Sequence, residues 1–424
     1  DTGDLSADLR TVFSASHRAL DAETARAFGL LALAPGADLG LPAAAALLGL
    51  PLSRARALLR RLQGAHLVTE PDPGRYRMHD LIRLYAAERG AELPAGERES
   101  ALRRLVDFCL HTAFRADQLL EPYPLPFEAG EPAEGCAPLE LTDAEEALAW
   151  FDAEYEGLLA TQRAAQRLGW HATTWRLAWA VDTYQWRRGH VHDHLTIWRT
   201  ALLSTERLGD RTARALAHRR LGNALLGSGD VDAAVRHLER SLELIDKPGD
   251  PRNEGHSHQS LARAQELRGD LVRALDHATR ALDLFHGCGD PVREGDALNT
   301  VGWYKARLGR YDEARRDCER ALALFQGAEH GYGRATTLDS LGYIAQSTGD
   351  LTGAADYYRR SLALNLDVLG DAYDAADTLV RLAETHQARG LGAEADDVLR
   401  HALELYLAQR RAPEADDVRA RLAP

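Results

Sequence analysis

Three stretches of this 424-residue chain set side chains at spacings that could do chemistry. His190-Val191-His192-Asp193-His194 places His190 and His194 four residues apart, on one face of a helix, as a metal pair would be. The stretch straddles a turn, and no third ligand cluster is evident in the sequence, so no metal is expected. Met78-His79-Asp80 follows an alternating stretch, and Asp80 opens a helical one. Arg54, Arg56, Arg60 and Arg61 decorate one short helix, and residues 51–90 hold eight arginines against four acids. A DNA-reading helix would carry such a set, but packing against other parts of the protein is the expected use. His256 and His258 are two apart, diverge on a helix and read as surface residues. No Ser-His-Asp or Cys-His arrangement stands out, and paired acids such as Asp396-Asp397 read as solvated helix faces. No catalytic residue is assigned, and no enzyme active site is expected within this chain.

The composition narrows the classes further. A formal net charge of −13 makes a poor non-specific binder of nucleic acid or membrane. Lysine occurs only at Lys247 and Lys305, so arginine carries almost all the positive charge. No apolar run reaches the roughly 18 residues of a membrane span, and the acidic start is no signal peptide. The chain begins at Asp1 without a methionine, which reads as a piece of something longer. Cys109, Cys136, Cys288 and Cys318 are scattered without C-x-x-C spacing, which argues against a zinc site or disulfide framework and for a reducing cytoplasm.

The elements that position these residues repeat. At a 40-residue step one apolar column reads Val181, Leu221, Leu261, Val301, Leu341 and then, after one inserted residue, Leu382. One place later stand Gly222, Ala262, Gly302, Gly342 and Ala383. An alanine column follows at Ala234, Ala274, Ala314, Ala354 and Ala395, and a small residue before leucine recurs six times, from Ala201-Leu202 to Ala402-Leu403. Between the columns lies a glycine turn, as in Gly229-Asp230 and Gly349-Asp350. The physical reading is helix, tight turn, helix: glycine accepts the left-handed conformation that ends the first helix, and aspartate caps the second. One such pair cannot bury its apolar face alone, so the pairs stack into a superhelix.

Residues 18–92 read differently. Helical periodicity runs from Leu20 to Leu33, and short helices follow over 42–48 and 53–63, the second with Ser53 as its cap. Residues 66–69 and 75–78 alternate like the strands of a wing, with a Pro-Gly turn between them, and the sequence LIRLYAAERG is a further helix. Three helices and a two-stranded wing make a winged helix. Residues 1–17 are a tail, and 93–172 a helical connector with a proline-rich loop over 121–140. Thr142 with Glu145 is a candidate capping box for the helix that leads into the stack. Trp150, Trp170, Trp175, Trp179, Trp186 and Trp198 crowd this region; they read as packing at the start of the stack, with a ligand-facing aromatic pocket as the alternative.

The repeat pattern resembles the tetratricopeptide repeat over residues 173–424, in six repeats and a capping helix near Pro413–Leu422. The fold class is therefore all-α: a tetratricopeptide-repeat superhelix of about six helix pairs, preceded by the small winged-helix domain. The period of 40 exceeds the commoner ~34 and implies helices longer by about a turn. The first repeat departs, with Asp182 at the small position and His194 at the alanine position. In this family the first helix of each repeat lines an inner groove. That implies a ligand- or partner-binding ladder of Trp179, Arg219, Asn223, Gln259, Arg263, Asn299, Trp303, Asp339 and Tyr343. Arg219 and Asn223 resemble part of a carboxylate clamp, although Ser260 stands where a second Asn is wanted.

Tyr76-Arg77-Met78-His79-Asp80-Leu81 resembles the Met-His-Asp motif of the NB-ARC branch of STAND ATPases. The resemblance implies that His79 senses the β-phosphate of ADP, that Asp80 holds the loop in shape, and that Met78 completes the motif. No G-x-x-x-x-G-K-[ST] phosphate loop occurs in the chain, so no cofactor is expected in it. ADP or ATP is expected only with an upstream nucleotide-binding domain. The order winged helix, connector, repeats is similar to the carboxy-terminal half of large antibiotic-pathway regulators of the SARP kind. That implies a sensor portion whose repeats bind a protein or small-molecule signal and bias a nucleotide switch. Its DNA contact would lie in a separate amino-terminal domain, and its open state would oligomerise. A freestanding repeat adapter for protein–protein interaction and an NLR-like defence fragment are the alternatives.

Overall fold

Glycine and aspartate punctuate a nearly all-helical chain in the computed structural model, which describes residues 13–121, 127, 130–245 and 249–422. Two compact units divide it, Asp1–Val181 and Asp182–Pro424. No helix among the described residues is long and apolar enough to cross a membrane.

In the first unit α1 (Ala22–Leu31) is capped by Asp21, whose carboxylate accepts from Thr24 N at 2.9 Å. Short α2 (Leu41–Leu48) and α3 (Leu52–Gly64) follow, and α3 buries Ala55, Leu58, Leu59 and Leu62, one stripe of a 3.6-residue period. Ser53 does not cap α3: the helix begins a residue earlier, behind Pro51, without a side-chain cap. α4 (Asp80–Ala91) crosses α1 at a glycine pair, where a Cβ on Gly90 would lie 2.6 Å from the Gly29 carbonyl oxygen.

The two-stranded sheet is present with a different partner from the one expected. β1 (Asp38–Gly40) pairs antiparallel with β2 (Arg75–Arg77), and Thr69 contributes only a single bridge to Arg77. Residues 66 and 67 are still closing α3: His66 takes φ 57°, and Leu67 N donates to the Leu62 carbonyl at 3.0 Å. Leu67 and Val68 are then buried as core. Long α5 (Ala95–Leu120) and α6 (Ala144–Arg167) precede α7 (His171–Ala180). The capping box of α6 sits one residue beyond its expected place. Asp143 accepts from Glu146 N at 2.9 Å, and the Glu146 carboxylate reaches back to Thr142 N at 2.9 Å. Of the expected proline-rich loop, Pro122, Pro124 and Pro126 lie outside the described residues, as do residues 1–12 of the tail; Pro132 and Pro138 lie in irregular chain.

The second unit opens with α8 (Asp182–Arg188) and α9 (Val191–Leu208). Five antiparallel pairs follow among the described residues. They are α10 (Arg211–Gly227) with α11 (Val231–Leu244), α12 (Pro251–Leu267) with α13 (Leu271–His286), and α14 (Pro291–Arg307) with α15 (Tyr311–Gly327). Then come α16 (Gly331–Ser347) with α17 (Leu351–Leu362), and α18 (Ala372–Ala388) with α19 (Gly392–Ala408); α20 (Ala412–Leu422) closes the stack. The turns are built as the sequence predicts. Gly349 takes φ 88°, and Asp350 caps α17 by accepting from Gly353 N at 2.9 Å.

Small residues mark the close approaches within each pair. A Cβ on Gly222 would meet Leu238 at 2.7 Å, on Gly302 the Cys318 sulfur at 2.6 Å, and on Gly342 the Tyr358 ring at 2.6 Å. Where serine replaces alanine before the recurrent leucine, its hydroxyl ties the pair together: Ser241 donates to the Ala215 carbonyl at 2.9 Å and Ser361 to the Ala335 carbonyl at 2.8 Å. The one inserted residue in the 40-residue register is absorbed where α17 continues as a π-helical segment, Ala363–Leu369, which ends at Gly370 with φ 62°. A π turn holds one residue more than an α turn, so the columns realign at Leu382.

Candidate functional site: the inner face of the repeats

In the first unit Met78 is buried and lines a pocket with Tyr76, Leu59 and Arg83, whereas His79 and Asp80 are exposed. His79 is the residue before α4, its side chain makes no capping bond, and Asp80 supplies the acidic first turn. The β2 strand that leads into them is fixed by Arg75, which donates to Asp38 and, at 2.8 Å, to Glu154. Two of the four arginines on α3 are committed to α1: Arg54 binds Glu23 and Arg61 binds Asp21 at 2.8 Å.

The ladder residues are the first-helix residues of successive repeats in the second unit, with one exception: Trp179 belongs to α7 of the first unit, 6.0 Å from the Phe127 ring. Several rungs bond to a neighbouring helix. Trp303 Nε1 donates to Glu266 at 2.8 Å, and its ring lies 5.0 Å from that of Tyr343. Asp339 accepts from Thr378 at 2.9 Å and pairs with Arg381 at 2.8 Å. Asn299 accepts from the Cys318 thiol at 3.6 Å, and Gln259 lies 3.3 Å from His256 Nδ1. Arg263 lies over the Trp186 ring at 4.9 Å. The bonds of Trp303 and Asp339 stitch one repeat to the next, and those of Asn299 and Gln259 stay within their own repeat, so much of the polar ladder is structural cement rather than open groove.

Arg219 is the contrast. It is 5% exposed on α10, yet its guanidinium makes no hydrogen bond or ion pair among the described residues. Burial holds its pKa well below the ordinary arginine value, and neighbouring Arg220 and Arg293 push the same way against Asp182 and Asp250. Those carboxylates are engaged elsewhere. Asp250 caps α12 by accepting from Asn253 N at 3.1 Å. Asp182 pairs with Arg220 at 2.9 Å and accepts from His194 Nε2 at 2.7 Å and Trp198 Nε1 at 2.6 Å. Burial works against ionisation of Asp182, but Arg220 and His194 outweigh it and hold its carboxyl well below the usual range. The imidazole of His256, beside Arg219, Arg293 and Arg220, is held well below its ordinary pKa, chiefly by burial.

The last repeat carries buried acids. On α18 and at its cap, burial raises the carboxyls of Asp371 and Asp374, helped by repulsion from Asp374 on the first and from Asp377 on the second. Asp371 caps α18, and Asp374 accepts from the Tyr332 hydroxyl at 3.1 Å. The stack also closes on itself. Trp186 of α8 lies 4.9 Å from the Tyr373 ring, Arg187 donates to the Leu369 carbonyl at 2.8 Å, and Gly189 leaves room for Gln409, which a Cβ would meet at 2.5 Å.

Sequence reasoning had His190 and His194 on a shared face, but their rings take different neighbours: His190 lies 5.7 Å from the Tyr184 ring, and His194 is bound to Asp182. No group of three metal-binding side chains exists among the described residues. His256 and His258 are not surface residues. His256 packs on Phe285 at 5.0 Å, and buried His258 meets His277, Nδ1 to Nδ1, at 3.0 Å. The residues missed were Arg220, Arg293 and Arg187; Asp182 figured only as a break in the columns and Trp186 only as packing. Asp182 and His194 carried a signal, since both broke the repeat columns.

The tetratricopeptide-repeat family matches residues 195–285 and 294–367. The chain is 33% identical over 242 residues to the regulatory protein AfsR of Streptomyces coelicolor, covering 56% of this chain and 24% of the relative. It is 36% identical over 245 residues to AfsR of Streptomyces griseus, covering 57% and 25%. The chain thus spans about a quarter of the length of the curated relatives it matches. A solved STAND protein with a tetratricopeptide-repeat sensor from Pyrococcus horikoshii matches at 15% identity and a TM-score of 0.44, covering 94% of this chain and 61% of that one. The all-α repeat fold holds as read from the sequence, with a small two-stranded sheet of different strand pairing, and so does the likeness to large regulatory proteins of the AfsR kind.

Proposed function

We propose that this chain, a tetratricopeptide-repeat protein similar over more than half of its length to the AfsR regulators, is the sensor portion of a STAND-type transcriptional regulator. Residues 18–92 of its first unit are the winged helix of a nucleotide-binding module. Its repeats take a signal or protein partner on their inner face and bias a two-state nucleotide switch. The observation that carries this reading is the pairing of that likeness with an exposed His79 at the head of α4, directly behind β2. An imidazole so placed is free to meet a phosphate held by another domain. Cytoplasmic control of secondary-metabolite genes is the corresponding role. DNA contact, ATP turnover and oligomerisation would then belong to the longer regulator.

The test is made in the full-length protein. His79→Ala is expected to lower ADP affinity, and unchanged ADP affinity overturns the sensor role. An in-frame phosphate loop upstream of the Asp1 codon supports the switch. A start codon immediately before Asp1 leaves a repeat adapter instead.

A further inference from the structure

A buried arginine without an acceptor is costly. Transfer of a charge out of water is repaid only when an opposite charge or strong acceptors meet it. Arg219 is 5% exposed and has neither among the described residues. Its charged neighbours have other partners. Arg220 turns to Asp182 at 2.9 Å, and Arg293 of the first turn of α14 turns to Asp296 at 3.3 Å. The carboxylates whose field reaches Arg219 are held by His194, Trp198 and the cap of α12. His256 of α12 faces the same three arginines from the adjoining repeat. One turn beyond Arg219 on α10, half-buried Asn223 likewise has no partner among the described residues. Three consecutive first helices thus bring Arg219, His256 and Arg293 to one place and leave the central guanidinium without a carboxylate of its own.

We infer that the inner face of the repeats holds a small oxyanion, the carboxylate or phosphate of the signal, seated on Arg219 with Asn223, His256 and Arg293 around it. A planar guanidinium gives two parallel bonds to such a group. The site refines the proposed sensor role by naming its ligand class, and it rests on that reading for its biological meaning only. Unlike a carboxylate clamp, it draws its further donor from Arg293 rather than from a second asparagine.

The test uses this chain as it stands. Calorimetric titration with inorganic phosphate and, separately, with acetate and succinate should give saturable binding to at least one of the two classes, with chloride as the ionic-strength control. The class that binds names the group. Arg219→Met should weaken that binding by about tenfold or more, the loss expected for a charge-assisted pair, and Arg219→Lys should keep part of it. Without ligand, Arg219→Met should melt at or above the parent temperature, because it removes an unpaired buried charge. Absence of saturable binding by every anion overturns the site, as does a ligand-free Arg219→Met that melts well below the parent, since the arginine would then be structural. If anions bind while ADP affinity of the full-length regulator ignores them, the site stands and the switch reading fails. If none binds while His79→Ala still lowers ADP affinity, the reverse holds.

Discussion

Asp182 and His194 are each other's reason for departing from the repeat. One stands where the other repeats carry a small residue and the other where they carry alanine, and their side chains meet at 2.7 Å, both buried. Trp198 and Arg220 complete the set, at 2.6 and 2.9 Å. A small–alanine contact has become a buried polar one. Removing one member strands the rest, so Asp182→Ala and His194→Ala should each cost roughly 3 kcal/mol in urea unfolding. The double variant should cost less than the sum of the two; simple additivity would refute the coupling.

Two histidine pairs, one repeat apart, make the second unit acid-sensitive. His218 and His237 meet Nδ1 to Nδ1 at 2.9 Å, and His258 and His277 at 3.0 Å. Burial, and the neighbouring His237, lower His218 from 6.5 to about 4; burial, with nearby arginines, lowers His237 and His277 as well. A base whose folded pKa is depressed binds its proton more readily once unfolded, so stability is full above pH 6.5 and is lost as the pH falls toward 4. Denaturation midpoints measured across that window should fall with pH, and His218→Gln with His237→Gln should flatten the slope. An unchanged slope would remove the pair as its source.

Gly342 is close-packed rather than flexible. A Cβ there would lie 2.6 Å from the Tyr358 ring, which is fully buried and donates to Gln346 at 2.9 Å. Gly342→Ala should therefore cost about 1–3 kcal/mol by overpacking, although alanine is the better helix former. At Ala383 the same column already accommodates the methyl, so Ala383→Gly should cost no more than about 1 kcal/mol. A thermal melt of the two variants separates packing from propensity.

The π-helical segment depends on a residue far from it in sequence. Arg187 donates to the Leu369 carbonyl at 2.8 Å, at the end of the segment Ala363–Leu369. Arg187→Ala should speed amide hydrogen exchange across residues 363–371, by the roughly tenfold that one charged hydrogen bond implies. Equal rates would show that the segment holds itself.

The repeats were legible because their physics is periodic. Glycine, aspartate and small residues recur wherever a turn or close crossing requires them, and even the π segment left its trace as one extra residue between Leu341 and Leu382. β1 was not legible, since Asp38-Leu39-Gly40 is too short to alternate and is a strand only because Arg75–Arg77 lies beside it. The ladder was legible as a face but not as a set of bonds. Spacing placed Trp303 and Asp339 inward, but only three-dimensional neighbours reveal that Glu266 and Arg381 occupy them. The same holds for Arg219, whose distinction is a partner that it lacks.

The contact of α8 with α18 alters how this unit can come apart. A linear stack of repeats behaves like a row of coins, loosest at its two ends, and each disturbance passes along a single route. Joining Trp186 to Tyr373 and Gly189 to Gln409 turns the row into a loop. No repeat between those contacts is terminal any longer, and a strain introduced at one of them reaches any other by two paths. Opening the loop once frees both ends together, so a modest local event is converted into a change felt by every member.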